Sequence, residues 1–345
     1  MLLSTQSSTQ KLPMKKTIIT FKLAALLSCA VPSLLLAQGS LAPSGVPGPT
    51  MKTLTQVEPR TPISSLPLVI SNSGSYYLTA NLTGIVGTNG ITITADNVTI
   101  DLNGFALNGV PGSSNGIAST SVANISIYNG TVRNWGAAGI NLGSCTRTFM
   151  KELRAESNAG VGLAGGTEAQ VIDCLSALNS GGGISCGSLA LVRNSTCRNN
   201  SATGITVQFF STVIGCVTYV NGATEINVSG NSNIQDCIVS SQSQNGIVVG
   251  NGCIVTGNNC SGNGPGAAVT AIRATGGYNR IEANSVSSAN RGIKVDSASN
   301  VIIKNNAISN GTNYVIVAGN FTGTIVATEA AMNTATNANV NISVP

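Results

Sequence analysis

The sequence predicts an all-β chain, a right-handed parallel β-helix (solenoid) of about 10–11 coils with a period of 21–23 residues. Three observations carry this. A turn followed by an apolar residue recurs at Ile91, Ile117, Ile140, Val161, Ile184, Ile205, Ile226, Ile247, Ile272, Ile293 and Val315, so ten intervals cover 224 residues, and several intervals equal 21. A second apolar column keeps step at Met150, Val171, Val192, Val213, Ile234, Val255, Ile281 and Ile303. A third column is polar: Asn158, Asn179, Asn200, Asn221 and Asn263 share the 21-residue register, with Gln242 in the one gap.

Each coil carries short strands of period two, such as Gly204-Ile205-Thr206-Val207, separated by Asn, Gly and Ser turns. A strand this short is unstable alone. Stacked about 4.8 Å apart, equivalent strands of successive coils pair in parallel and enclose an apolar column. The asparagines suit inward turn positions. They tolerate the left-handed conformation, and their amides bond the neighbouring coil. Right-handed winding follows from the chirality of parallel crossovers. A leucine-rich repeat would need several leucines and a helical return per repeat. A hexapeptide helix would need a period divisible by six. The pattern places the solenoid over residues 70–323, with a C-terminal cap or tail over 324–345.

The segment ahead of it divides in two. Lys15, Lys16 and Lys22 lead into the apolar run Leu23–Leu36, which closes on Leu35-Leu36-Ala37-Gln38. This is the order of a secretory signal, so residues 1–37 are expected to be removed and the protein to be secreted or held at the cell surface. A retained anchor and a lipoprotein at Leu26-Leu27-Ser28-Cys29 are the alternatives. No later apolar run is long enough to span a membrane. Residues 38–69 hold Pro43, Pro47, Pro49, Pro59, Pro62 and Pro67, an extended linker and leading segment.

Composition narrows the chemistry. The chain of 345 residues has no histidine, which excludes every site built on imidazole, and its charged residues are only 8%. Four of the 17 basic residues precede the expected cleavage, leaving 13 against 12 acids, so nucleic acid is not an expected partner. Without Cys29 eight cysteines remain. Cys174, Cys216 and Cys237 stand at the third position after the second column, Cys197 and Cys260 at the fifth, and Cys186 in a slot shared with Leu163, Val207 and Val249. These are inward slots, so the thiols are expected to be buried and reduced. Cys216 and Cys237 share one column on adjacent coils, where a bridge is sterically allowed.

Outward positions remain for function. Arg273 and Lys294 lie 21 residues apart in one outward column, with Asp296, Arg291 and Arg280 nearby, a ridge suited to an acidic sugar and the catalytic and ligand-binding candidate. Glu152 and Asp173 share a column, with Asp236 further on. Stacked carboxylates about 5 Å apart are the calcium candidate, and solvated turn acids paired with Lys151 or Arg193 are the plainer reading. Arg154, Arg198 and Tyr219 mark a third face. No other cofactor is expected.

From about Asn89 to Phe321 the stacked Val/Ile columns and the asparagine ladder resemble the repeats of the pectin-lyase-like superfamily. The stretch Gly74-Ser75-Tyr76-Tyr77-Leu78-Thr79 through Asp101-Leu102-Asn103-Gly104 is similar to the opening of many exported bacterial members. The resemblance implies the fold and a polysaccharide or cell-surface glycan as partner. Glycoside hydrolases of the superfamily need two placed carboxylates, which are not apparent here. The lyases resemble this chain more, with an Arg or Lys base and calcium on several carboxylates, but its acids are scattered singly. The reading is therefore a secreted binding or structural protein that interacts with polysaccharide, with a lyase acting on uronate polymers through Arg273, Lys294 and Asp296 as the alternative.

Overall fold

The computed structural model describes residues 57–240, 244–262 and 269–345. Asn263 and Gln242 of the polar column and the expected signal segment lie outside the described residues. The chain is a parallel β-solenoid of about 12 turns with a period of about 21 residues. Each coil contributes one strand to each of three sheets, called 1, 2 and 3 in chain order. Turn 1 joins sheet 1 to sheet 2, turn 2 joins sheet 2 to sheet 3, and turn 3 returns to the next coil.

The inward residues of sheet 1 pair as Leu68, Ile91, Ile117, Ile140, Leu163, Ile184, Ile205, Ile226, Ile247, Ile272, Ile293 and Tyr314. The first column expected from sequence is therefore right except at two coils. Leu163 takes the slot assigned to Val161, because turn 1 of the preceding coil is longer: ten residues separate Ile140 from Met150 and eight separate Leu163 from Val171. Tyr314 takes the slot assigned to Val315, and its hydroxyl donates to the carbonyls of Asn305 and Ile342, both at 2.9 Å. In sheet 2, Ile302 rather than Ile303 pairs with Ile281 and is fully buried. Each buried Val or Ile contributes about 1.5–3 kcal/mol relative to exposure, so a short strand is held by its column and not by its own propensity.

Turns are where the coils differ from a simple stack. In turns 1, 2 and 3 alike, a residue with positive φ precedes an inward one. In turn 3 this alternation reads Ser157/Asn158, Leu178/Asn179, Asn199/Asn200 and Val220/Asn221, with φ of 56°, 58°, 53° and 56° for the first members. The second members form the ladder. Asn158, Asn179 and Asn200 each donate their backbone N–H and Nδ2 to the Oδ1 of the asparagine one coil on, at 2.9–3.1 Å. Two further ladders serve the C-terminal coils: Asn258, Asn284, Asn305 and Asn341 in turn 2, and Asn279, Asn300 and Asn320 in turn 1.

Special residues stand at both ends of the described run Asn158–Asn221 of the turn 3 ladder. Trp135, the sole tryptophan, stands in the slot before Asn158, donates its backbone N–H to that residue's Oδ1 and is 1% exposed. Its ring fills space left by Gly84, Gly90 and Gly116, where any Cβ would collide with it. At the other end the residue before sheet 1, glycine in the preceding coils because the ladder amide lies against it, becomes Glu225. Its buried carboxyl accepts the Asn221 backbone N–H at 2.8 Å and the Asn221 Nδ2. Burial pushes its pKa up to about 7.

The eight cysteines from Cys145 to Cys260 are buried and unpaired. Cys186 pairs in register with Gly165 and Val207, so its slot in the earlier coil belongs to Gly165 and not to Leu163. Beyond the last full coil lies helix α1 (Glu329–Thr334), capped by Thr328, whose Oγ1 accepts the Ala331 N–H at 3.2 Å. The strand Asn341–Val344 then pairs with Asn306–Ile308 and covers the open edge of sheet 3. At the other end, Arg60 bridges Glu58 and Asp101 at 2.8 and 3.0 Å and lies 4.6 Å from the Tyr77 ring, which ties the leading segment to the first coils. Among the described residues no helix is long and apolar enough to cross a membrane.

Candidate functional site

Sheet 1 turns a column of small side chains outward, Ser185, Thr206, Asn227 and Val248, which leads to Arg273 and Lys294 and then Val315. Strand alternation forces this, since the flanking Ile272, Ala274, Ile293 and Val295 are committed to the core. Arg273 and Lys294 are direct cross-coil partners, and like charges opposed in this way repel. Asp296, at the start of turn 1, resolves the conflict. Its two oxygens take the Arg273 Nε at 2.7 Å and the Lys294 Nζ at 2.6 Å. Partial burial pushes the Asp296 carboxyl up, but bonds from Lys294 and Arg273 outweigh it and hold the pKa below the usual value. The triad keeps one net positive charge and remains 23–37% exposed at its side chains.

The structure therefore joins three of the residues expected to act together and separates two. Arg291 opens the same strand at its turn 3 end, away from the triad. Arg280 belongs to sheet 2, where Glu282 accepts from it at 2.6 Å and from Lys304 at 3.1 Å. There Arg280 lines a cleft of about 430 Å³ with Val301, Ile303, Phe321, Asn337 and Asn339, formed where the C-terminal cap meets the solenoid.

The acidic column has a conformational explanation. Glu152, Asp173, Asn194, Gly215, Asp236, Gly257, Ala283 and Lys304 are equivalent turn 2 residues, all with φ between 51° and 67°. Short polar residues and glycine are the usual occupants of that region. Lys151 pairs with Glu152 at 2.9 Å, and this contact raises the Lys151 pKa, with the Asp173 charge adding to it. Among the described residues no three Asp, Glu or Cys side chains converge on one point. Of the six to eight oxygens that calcium takes, Glu152 and Asp173 could supply carboxylate oxygens only, with backbone carbonyls and water for the rest. Arg154 lines one pocket with Glu152, Asp173 and Asn194, whereas the cross-coil pair Arg198/Tyr219 lies elsewhere on sheet 3.

One group escaped the sequence reading. On the edge formed by turn 1, the positive-φ column runs Arg147, Glu168, Leu189, Phe210, Asn231, Gly252, Tyr278, Ser299 and Gly319. Leu189, Phe210 and Tyr278 are 53%, 62% and 79% exposed, and Phe209 beside them is 47% exposed. The signal was present as a position, one residue before each inward turn residue. It was hidden because most coils fill that position with polar residues or glycine.

No protein-family model and no curated protein matches the chain in sequence. Solved structures do match in shape. The A-module of the mannuronan C-5 epimerase AlgE6 of Azotobacter vinelandii superposes with a TM-score of 0.62 at 13% identity, covering 82% of this chain and 88% of that one. The Dettilon tailspike protein superposes with a TM-score of 0.52 at 14% identity, covering 82% of this chain and 60% of that one. These similarities establish architecture, and with the three-sheet coil and its stacked asparagines they identify the chain as a right-handed parallel β-helix of pectin-lyase-like fold.

Proposed function

We propose that the protein is exported and binds an acidic polysaccharide along sheet 1, with Arg273, Lys294 and Asp296 as the charged contact. The observation that carries the reading is the triad itself. Two cations held by one carboxylate leave guanidinium and ammonium N–H groups directed outward with a fixed spacing, and the adjoining column of Ser185, Thr206 and Asn227 is short enough to let a flat chain approach. The fold neighbour named for mannuronan chemistry supports a uronate polymer as the ligand class. Binding is favoured over a lyase reaction because Asp296 occupies both cations, whereas a lyase base must be free to take a proton from the sugar ring.

Affinity electrophoresis of the purified protein in gels containing alginate or polygalacturonate tests this. The wild type should be retarded, with retardation falling as salt rises, and an Arg273→Ala/Lys294→Ala variant should run freely. Equal mobility of the two proteins would refute the assignment, and accumulation of unsaturated uronate products would replace binding with lysis. Export predicts that the protein recovered outside the cell begins near Gln38, which N-terminal sequencing reads.

A further inference from the structure

We infer that Phe209, Phe210 and Tyr278 on the turn 1 edge form a saccharide-stacking subsite, which continues the charged contact of sheet 1 along the solenoid axis. The inference rests on the polysaccharide reading above for its ligand class and on different residues for its argument.

The first point is conformational. Phe210 and Tyr278 have φ of 61° and 62°, a region that aromatic side chains occupy at a cost and that Asn231, Gly252, Ser299 and Gly319 occupy in equivalent turns. Burial does not explain the choice, since both aromatic residues are more than half exposed. Burial therefore supplies little of the reason for a ring at either position. A chain with only 4% aromatic residues has placed two of them on one edge, in one strained column.

The second point is layout. Phe209 and Phe210 have ring centroids 6.4 Å apart and are tilted by 48°, so they form an angled surface and not a closed stack. Phe209 lies against Gly230 of the next coil, where an added Cβ would come within 3.3 Å of its ring. Asn231 and Gly252 separate Phe210 from Tyr278, three coil spacings or about 14 Å along the axis. Tyr278 shares its coil with Arg273, and Asp296 begins turn 1 of the following coil. Aromatic edge and charged triad thus run side by side.

The third point concerns the occupant. Leu189, Phe209 and Phe210 together expose on the order of 300 Å², well under the roughly 800 Å² per partner of a stable protein interface. The patch is the size of one or two sugar rings. A phenyl face is electron-rich and the axial C–H groups of a pyranose are electron-poor, so the two stack, and the amide of Asn231 stands beside them for a hydroxyl.

The test uses the full-length protein and a glycan array of plant, algal and bacterial polysaccharides, with Phe209→Asn/Phe210→Asn/Tyr278→Asn beside Arg273→Ala/Lys294→Ala. Asparagine stands at equivalent positions elsewhere in the solenoid, as Asn231 in the column of Phe210 and Tyr278 and Asn251 in that of Phe209, so the aromatic variant should fold and melt at or above the wild-type temperature. It should lose at least tenfold in affinity for the glycan the wild type binds. Unchanged affinity in the aromatic variant with loss in the charge variant overturns the subsite and leaves the sheet 1 reading standing. A lower melting temperature overturns it as well, since the rings would then be packing residues. So does a concentration-dependent dimer that disappears in the aromatic variant, because the edge would then be a self-association surface. No binding by the wild type to any array feature overturns both readings.

Discussion

Glu225 receives the backbone N–H of Asn221 at 2.8 Å and so stands where the next asparagine of the ladder would have placed its oxygen. The same device recurs at the C-terminal end, where Asn313 receives the Asn310 Nδ2 at 2.9 Å from the equivalent position before sheet 1. One terminator is neutral and the other titrates.

That difference predicts a pH signature. Burial raises the Glu225 pKa from 4.5 to about 7, so the folded state takes up a proton before the unfolded state does as pH falls. Stability from this group is fully present below about pH 4.5 and is lost as pH rises to about 7, by about 3 kcal/mol. Urea melts of wild type and Glu225→Gln between pH 4.5 and 8 should converge at the acid end and separate at the alkaline end, with the variant the more stable. Parallel curves would show that the carboxyl titrates normally.

Asn200 and Asn199 adjoin in sequence and should differ sharply. Asn200 accepts two bonds from Asn179 and donates to Asn221 and to the Ser176 carbonyl, all at 2.9–3.1 Å within the core. Asn200→Leu leaves several of these groups unpaired and should cost about 3 kcal/mol or more. Asn199 is exposed at φ 53°, and its neighbours in that column are Leu178 and Val220. Asn199→Leu should cost about 1 kcal/mol, the price of the left-handed conformation. Equal losses in paired melts would remove the ladder from the stability argument.

The thiols should be inert until the coils open. Burial pushes Cys174 and Cys186 up to about 12 and raises Cys197 and Cys260 as well, while the hydrogen bond with Cys216 lowers Cys237 and leaves its protection to inaccessibility alone. Alkylation followed by peptide mapping should find all eight cysteines from Cys145 to Cys260 unmodified in native protein and all modified in urea. Rapid native labelling at any of them would mean that its coil is not closed.

Asp296→Asn should strengthen binding of an acidic polysaccharide several-fold, because it frees Arg273 and Lys294 from their shared anion. The gain should vanish in high salt. Weaker binding in electrophoresis would show that the carboxylate positions the cations more than it competes for them.

The columns were legible because apolar period and burial coincide: every isoleucine assigned to sheet 1 from Ile91 to Ile293 is inward. Two of the three column errors fell where apolar residues adjoin, at Ile302/Ile303 and Tyr314/Val315, where the strict 21-residue step favours the correct member; the third, Val161 for Leu163, arose because a longer turn 1 breaks that step. Apolarity pointed to valine over tyrosine because the carbonyls that take the Tyr314 hydroxyl come from distant segments. The triad was legible as a column, since register alone sets Arg273 opposite Lys294. Arg280 was misplaced because nearness in sequence crosses a turn and so changes sheet. The aromatic edge was illegible because it depends on backbone φ, which a varied turn sequence does not declare.

The polar spine of the solenoid changes corner partway along. Among the described residues the turn 3 ladder runs to Asn221, which meets the Glu225 carboxyl, and the ladders of turns 1 and 2 run from Asn258 and Asn279. Between them lie coils whose corners hold Ser232, Cys237 and Cys253. Ser211 donates its backbone N–H to Ser232 at 2.9 Å, and Cys237 and Cys253 donate theirs to Asn258 and Asn279 at 3.0 and 2.7 Å. Coupling therefore passes from one corner to the others in overlapping steps, and the solenoid is spliced like a rope whose strands end at staggered points.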